Sequence, residues 1–241
     1  MDMFATAAKF KLLNTSDIAE MFKYKFLNED FRIIGNDVQQ SKTIEIQGAH
    51  FEVDKPWILR EPNYDYFNRE LEWYKTQSLN VNDIPGGAPK MWKACSTPDG
   101  FINSNYGWCI GSEENGKQFE HCLNMLVKDP HTREACMIYT RPSIQDEYCK
   151  DGMHDFICTM STHLFLNEHN DGNIYLCYQV FQRSCDAIFG FDNDVLWHIE
   201  VQKEMCRLLS NVLNTVIYPE KIIYNCASLH VYERHFKYLE N

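Results

Sequence analysis

Apolar positions along this chain recur with two periods, and the places where one gives way to the other outline its elements. Behind Ser16 and an acidic first turn (Asp17, Glu20), Ile18, Met21, Phe22 and Phe26 follow helical spacing, so a helix is predicted to start there. Thr43 to Val53 alternates on both sides of Gln47-Gly48, the pattern of a hairpin. A second helix is predicted over Asn63 to Ser78, after Pro62, with Phe67, Leu71 and Tyr74 on its apolar face. Glu70 shares that face. In so aromatic a stretch it is either a desolvated carboxylate, costly unless paired or used, or a helix-edge group that reaches solvent.

A Pro- and Gly-bearing loop follows (Asp83 to Pro98), then a polar run from Ile102 to Gly107 and a helix carrying Phe119, Cys122, Leu123 and Leu126. Ala135 to Thr140 reads as a strand. Asp155 to Leu166 and Ile174 to Phe181 read as two more, joined by the turn His169-Asn170-Asp171-Gly172. A long helix, about Asp194 to Thr215, is predicted to turn Ile199, Met205, Leu208, Leu209, Val212 and Leu213 inward, and a last strand spans Lys221 to Ser228. Strands and helices mix without strict β-α-β alternation. The expectation is one α+β domain over residues 1–241, on a mixed or mainly antiparallel sheet flanked by helices.

Charge and composition narrow the function. The net charge is -11 and the lysines and arginines are dispersed, which disfavours binding to a nucleic-acid backbone. A few convergent arginines still suit a phosphorylated small molecule. No apolar run is long enough to span a bilayer, and Met1 to Lys11 has no signal-peptide core, so a cytoplasmic protein without a membrane partner is expected. The ten cysteines include no C-x-x-C pair, and the nine histidines form no ligand-spaced group, so no metal site is expected. No G-x-G-x-x-G occurs, and Pro85-Gly86-Gly87-Ala88-Pro89-Lys90 lacks phosphate-loop spacing.

One cysteine stands apart. With the hairpin turn centred on Asn170-Asp171, Cys158 lies opposite Arg183; centred on Asp171-Gly172, it lies opposite Cys185, still within reach of the guanidinium. An adjacent arginine is expected to lower a thiol's pKa, making Cys158 the best nucleophile candidate, with Arg183-Ser184 beside it as an anion site. The competing reading is an inert core thiol.

Gln182-Arg183-Ser184-Cys185-Asp186, followed by Gly190 and Asn193-Asp194, resembles the nucleotide-binding signature of the thymidylate synthase family. Arg69 to Tyr74, Asn105-Tyr106-Gly107, Asp155 to Thr159 and Ser228 to Tyr232 agree with it in order, so the resemblance covers about Thr43 to Phe236. The fuller motifs are most similar to the members of the family that hydroxymethylate deoxycytidylate in phage-infected bacteria.

The resemblance implies that the Cys158 thiolate adds to carbon 6 of a pyrimidine nucleotide, so that carbon 5 takes a one-carbon unit from 5,10-methylenetetrahydrofolate. It implies Glu70 as the proton-handling carboxylate and Tyr106 as the residue near carbon 5. Asp194 stands where uracil-reading members carry asparagine; a protonated aspartic acid there donates to ring nitrogen 3 of cytosine and accepts from its amino group. Asn193 is adjacent, and a slip of one residue reverses that choice. Helix capping is the alternative use of Asp194.

By the same resemblance Arg183 and Ser184 hold the phosphate, His230 and Tyr232 the sugar, and Trp92, Asp186 and Gly190 the folate side. A homodimer packed sheet to sheet is implied, with Arg133 lent across the interface. Two departures touch the phosphate. Glu134 replaces the second arginine, and Asn36 to Gln40 carries no cation, leaving Lys42 or Arg141 to compensate. The chain stops soon after Tyr232, which is expected to leave the intermediate open to water and so to favour a hydroxymethyl product. The rivals are 5-methylation of dCMP, action on dUMP or CMP, and a catalytically dead nucleotide-binding relative.

Overall fold

The computed structural model describes residues 12–35 and 40–240. Met1 to Lys11 and all but Gln40 of the cation-free loop lie outside the described residues. A short strand β1 (Leu13–Asn14) leads into α1 (Thr15–Leu27), whose start is set by a capping box between Asn14 and Asp17, slightly before the expected Ser16. Strands β2 (Arg32–Gly35) and β3 (Gln40–Glu52) precede α2 (Tyr64–Thr76), capped by Asn63. The loop after it contains α3 (Lys90–Cys95) and leads to α4 (Tyr106–Gly111) and α5 (Gln118–Lys128). Then come β4 (Cys136–Ile138), α6 (Ile144–Glu147), β5 (Thr159–Glu168), β6 (Ile174–Gln182) and β7 (Cys185–Asp186). Helix α7 (Phe191–Leu213) and strand β8 (Ile217–Tyr232) close the series.

The eight strands form one mixed sheet in the order β1-β3-β8-β6-β5-β4, with β2 added to β3 and β7 to β8. This is the α+β architecture expected. Strand β8 is the centre: antiparallel to β3, parallel to β6 and to β7. It starts four residues before the expected Lys221 and runs four past Ser228. Its far end therefore carries His230 and Tyr232.

Three expectations are corrected. Gln47-Gly48 is no hairpin turn: β3 is one strand, paired with β8 from Thr43↔Tyr232 to Glu52↔Ile223, and Gly48 only kinks it with φ 64°. Alternation survives such a kink, so it reads like two strands. Asp155 to Cys158 lies before β5 rather than in it. Helix α7 buries Val195, His198, Val201, Gln202, Met205 and Leu209, while Val212 is exposed. Of the residues predicted inward, Met205 and Leu209 are buried, Ile199 and Leu213 pack partly buried against the core and Leu208 is half-buried, so Val212 is the one corrected. Gln202 fastens the helix to the sheet, its amide donating to the Leu176 and Glu220 carbonyls.

Two helices fix the site from the other side. Helix α4 approaches α2 so closely that a Cβ on Gly107 would meet the Tyr74 carbonyl oxygen at 1.9 Å. That approach stacks the Tyr106 ring on Tyr74, centroids 5.5 Å apart. No helix among the described residues is long and apolar enough to cross a membrane.

Candidate active site

The β5–β6 hairpin pairs Ser161 with Phe181 and Glu168 with Ile174, so its turn centres on Asp171 alone, between the two centres considered from sequence. At Met160 the register slips: β5 carries one extra residue, and Thr159 pairs with Gln182. Cys158 is thereby set opposite Arg183, whose backbone N–H donates to the Cys158 carbonyl at 3.0 Å. The guanidinium reaches the sulfur at 3.7 Å from Nη2, donates from Nε to the Ile157 carbonyl at 3.0 Å and from Nη2 to that of Phe156, and lies over the Phe156 ring.

The expected acidification of the thiol does not follow. Burial pushes the Cys158 thiol up to about 12, outweighing Arg183, and the charges of Asp194 and Asp155 push the same way. A sequence shows the guanidinium but not the desolvation or the carboxylates that oppose it. Peptide-resolved alkylation of Cys158 by iodoacetamide in the free protein should therefore rise about tenfold per pH unit from pH 7 to 10. A plateau near pH 8 would contradict the high pKa.

Beside the sulfur runs a polar chain inside the protein. Thr159 Oγ1 donates to the Tyr106 hydroxyl at 3.0 Å; Gln182 Nε2 donates to Thr159 Oγ1 at 3.1 Å and to Asp194 Oδ2 at 2.7 Å. Burial raises the Asp194 pKa to about 7, with help from the charges of Glu70 and Asp192. The protonated form of the carboxyl is therefore within reach near neutral pH. Asp194 sits inside the first turn of α7, one residue beyond Asn193, and Gly190 precedes the helix, so it does not cap it. Asn193 is half-buried and its side chain makes no hydrogen bond with the described residues.

Glu70 is buried, at 3% exposure, which removes the solvent-reaching alternative. Its Oε1 accepts from the Tyr66 hydroxyl at 2.5 Å and the Trp92 indole at 2.7 Å, while Oε2 takes no hydrogen bond from the described residues. Desolvation raises its pKa against those two donors. Trp92 is half-buried, edge-on to Trp73.

A neighbouring group comes from the end of β8. Asp186 pairs with His230 in the β7–β8 ladder, and the His230 and Tyr232 rings lie 4.7 Å apart. The Asp186 carboxylate accepts from the Ile188 N–H at 2.9 Å. Gly190 packs on Asp186, where a Cβ would meet its carbonyl oxygen at 3.1 Å. Burial raises the Tyr232 pKa, and the charge of Asp186 pushes the same way. Ser184 is half-buried without a side-chain hydrogen bond to the described residues. Arg133 is not brought in: it is exposed in the turn between α5 and β4. Lys42 lies over the Phe31 ring, and Arg141 pairs with Glu147 and Asn103.

Sequence reasoning missed Tyr66, Gln182 as a ligand of Asp194, Thr159, and Asp155. Gln182 lay within a quoted motif, and its period-2 placement on the same face as Val180 was the available signal. Among the described residues no group of His, Cys, Asp and Glu is arranged to hold a metal ion.

The thymidylate synthase family model matches residues 14–241. The chain is 46% identical over 196 residues to deoxycytidylate 5-hydroxymethyltransferase of Enterobacteria phage T4, spanning 81% of this chain and 78% of that protein, and matches the phage T6 enzyme equally. It is 30% identical over 171 residues to the thymidylate synthase of Fusobacterium nucleatum, covering 70% of this chain and 56% of that one. Among solved structures, the thermostable thymidylate synthase A from Bacillus subtilis superposes with a TM-score of 0.64 at 20% identity, covering 94% of this chain and 83% of that one.

Proposed function

The chain belongs to the thymidylate synthase family, and from that premise we propose that it transfers a one-carbon unit from 5,10-methylenetetrahydrofolate to carbon 5 of dCMP, giving 5-hydroxymethyl-dCMP. The observation that carries the choice of base is Asp194, a half-buried carboxyl whose pKa desolvation raises to about 7 and whose Oδ2 accepts from Gln182. In its protonated form it donates to ring nitrogen 3 and accepts from the exocyclic amino group, a pattern that cytosine offers and uracil reverses. The methyl-transferring and uracil-reading alternatives lack such support: relatives named for hydroxymethylation match at 46% identity, thymidylate synthases at 30% or less.

Cys158, as thiolate, adds to carbon 6, and carbon 5 then takes the new bond and sheds its proton. Tyr106, its hydroxyl bonded to Thr159, stands at carbon 5. Arg183 and Ser184 take the phosphate, His230 and Tyr232 the sugar. Once the nucleotide's ring displaces water beside the sulfur, the 3.7 Å guanidinium is the positive charge left to favour thiolate.

The folate supplies the one-carbon unit at the oxidation level of formaldehyde. The residues present fit it: Glu70 offers an unpaired carboxyl oxygen of raised pKa beside the half-buried face of Trp92, a donor-and-stack arrangement for a flat heteroaromatic ring. Trp92, Asp186 and Gly190 would line that side. Glu70→Gln keeps the shape and removes the titrating proton. It is expected to lower kcat on dCMP about 10²-fold, with KM nearly unchanged, measured by release of carbon-5 tritium. An unchanged kcat would remove Glu70 from proton handling.

The chain acts as a homodimer in this reading. Phe165, Phe181 and Ile223 lie on the sheet face opposite the one that Tyr178 turns toward His198 of α7, an apolar set suited to a second sheet. Arg133, exposed and without an ion pair among the described residues, then reaches the partner's phosphate site, with Glu134 leaving it to act alone. The test of the whole reading is mass spectrometry of products from dCMP, dUMP and CMP. A single hydroxymethyl on dCMP alone is expected; a methyl product, or turnover of dUMP, would overturn it.

A further inference from the structure

We infer that Asp155 is a positioning residue that holds the Cys158 sulfur in register with the Tyr106 hydroxyl. Its carboxylate is buried and fully engaged: Oδ2 accepts from the Asn103 N–H at 2.7 Å and the Ser104 N–H at 2.8 Å, and Oδ1 accepts from the Ser104 hydroxyl at 2.7 Å. The Asn103 side-chain amide returns a bond to the Asp155 carbonyl at 3.2 Å. Residues 103–104 and 155 are thus tied by four hydrogen bonds, all between segments some fifty residues apart in sequence.

Each side of that tie is rigidly coupled to a reacting group. Asn105, wholly buried, accepts the Trp108 N–H at 2.9 Å and donates to the Trp73 and Ser78 carbonyls, which anchors the backbone between Ser104 and Tyr106. On the other side Arg183 holds the Phe156 and Ile157 carbonyls from the opposite flank. The segment from Asp155 to Cys158 is therefore pinned at both ends. A buried carboxylate is a costly way to fasten a loop that apolar packing alone would hold. What the carboxylate adds is a fixed distance. Carbon 6 and carbon 5 are bonded neighbours, so the groups serving them must keep a fixed separation, and misplacement of about 1 Å costs about 10²-fold.

The inference rests on Cys158 being the nucleophile, and its test separates the two ideas. Asp155→Asn keeps one oxygen that can accept from the Asn103 and Ser104 N–H groups, but it turns an NH2 toward the Ser104 hydroxyl and removes the charge that strengthens all three bonds. Turnover of dCMP, read as carbon-5 tritium release, is expected to lose about 10²-fold in kcat with KM for dCMP changed less than about threefold. Alkylation of Cys158 in the same variant should become faster, because the negative charge of Asp155 opposes the thiolate. A folded variant in which dCMP binding weakens as much as turnover would show a general collapse of the site and overturns the inference.

Ser104→Ala removes one of the four bonds and is the variant to read where Asp155→Asn does not fold; kcat should fall about threefold to tenfold, again with KM held. Wild-type kcat in either folded variant, or a loss confined to KM, overturns the inference. A wild-type protein that releases no tritium from dCMP overturns the functional reading and this inference with it.

Discussion

Cys158→Ala is expected to abolish product formation from dCMP, with a loss of at least about 10⁴-fold in kcat, while dCMP still binds within a few-fold of the wild-type affinity. The size follows from covalent chemistry. Without sulfur added at carbon 6, carbon 5 of cytosine stays part of the conjugated ring and is too weak a nucleophile, and no neighbouring thiol stands in: Cys185 and Cys226 are buried, with pKa values raised by desolvation. The preserved affinity follows from the phosphate and sugar contacts, which Cys158 does not supply. Tritium release and equilibrium dialysis separate the two effects. Residual turnover above about one part in 10³ would mean that Cys158 is not the nucleophile.

The second large effect concerns the base. Asp194→Asn is expected to shift the ratio of kcat/KM for dCMP to that for dUMP by on the order of 10⁴, with dUMP preferred. The amide presents its donor and acceptor the other way, so cytosine leaves buried polar groups unpaired and uracil satisfies them. The pH profile adds an independent check. The reaction on dCMP needs Asp194 neutral and Cys158 ionised. With Asp194 at about 7 and Cys158 pushed up to about 12, kcat/KM rises about tenfold per pH unit up to about pH 7 and is level above it. Loss of neutral Asp194 there cancels the gain in thiolate. In Asp194→Asn acting on dUMP the break disappears and the rise continues past pH 7. A break near pH 7 retained in the variant would assign it to another group.

The sequence made the chemistry more legible than the topology. One of the two hairpin registers considered set Arg183 opposite Cys158, and it stands there, although the turn is centred elsewhere and the bulge at Met160 supplies the missing residue. For Glu70 the pattern left two readings, a desolvated carboxylate or a helix-edge group that reaches solvent, and its burial with Phe67 and Tyr74 decides for the first. Gly48 misled because alternation records which face a residue takes and says nothing about the partner strand. Only the long ladder with β8 decides that β3 does not turn back. The acidity of Cys158 was misjudged for a related reason: Arg183 is visible as a motif, whereas Asp155 and Asp194 act through space from segments that no local pattern links. Asp155 carries no periodic signal at all, since it lies in a loop whose meaning comes from Asn103 and Ser104.

Strand β8 has a consequence for how the molecule is made. It is the last strand of the sheet in sequence and the one to which β3, β6 and β7 all attach. During synthesis β3 is translated some 170 residues before its partner, and β6 about 40 before its own, so both wait with open hydrogen-bonding edges. Such distant pairing makes for slow, late closure and a nascent chain that is prone to associate with others until residue 232 emerges from the ribosome.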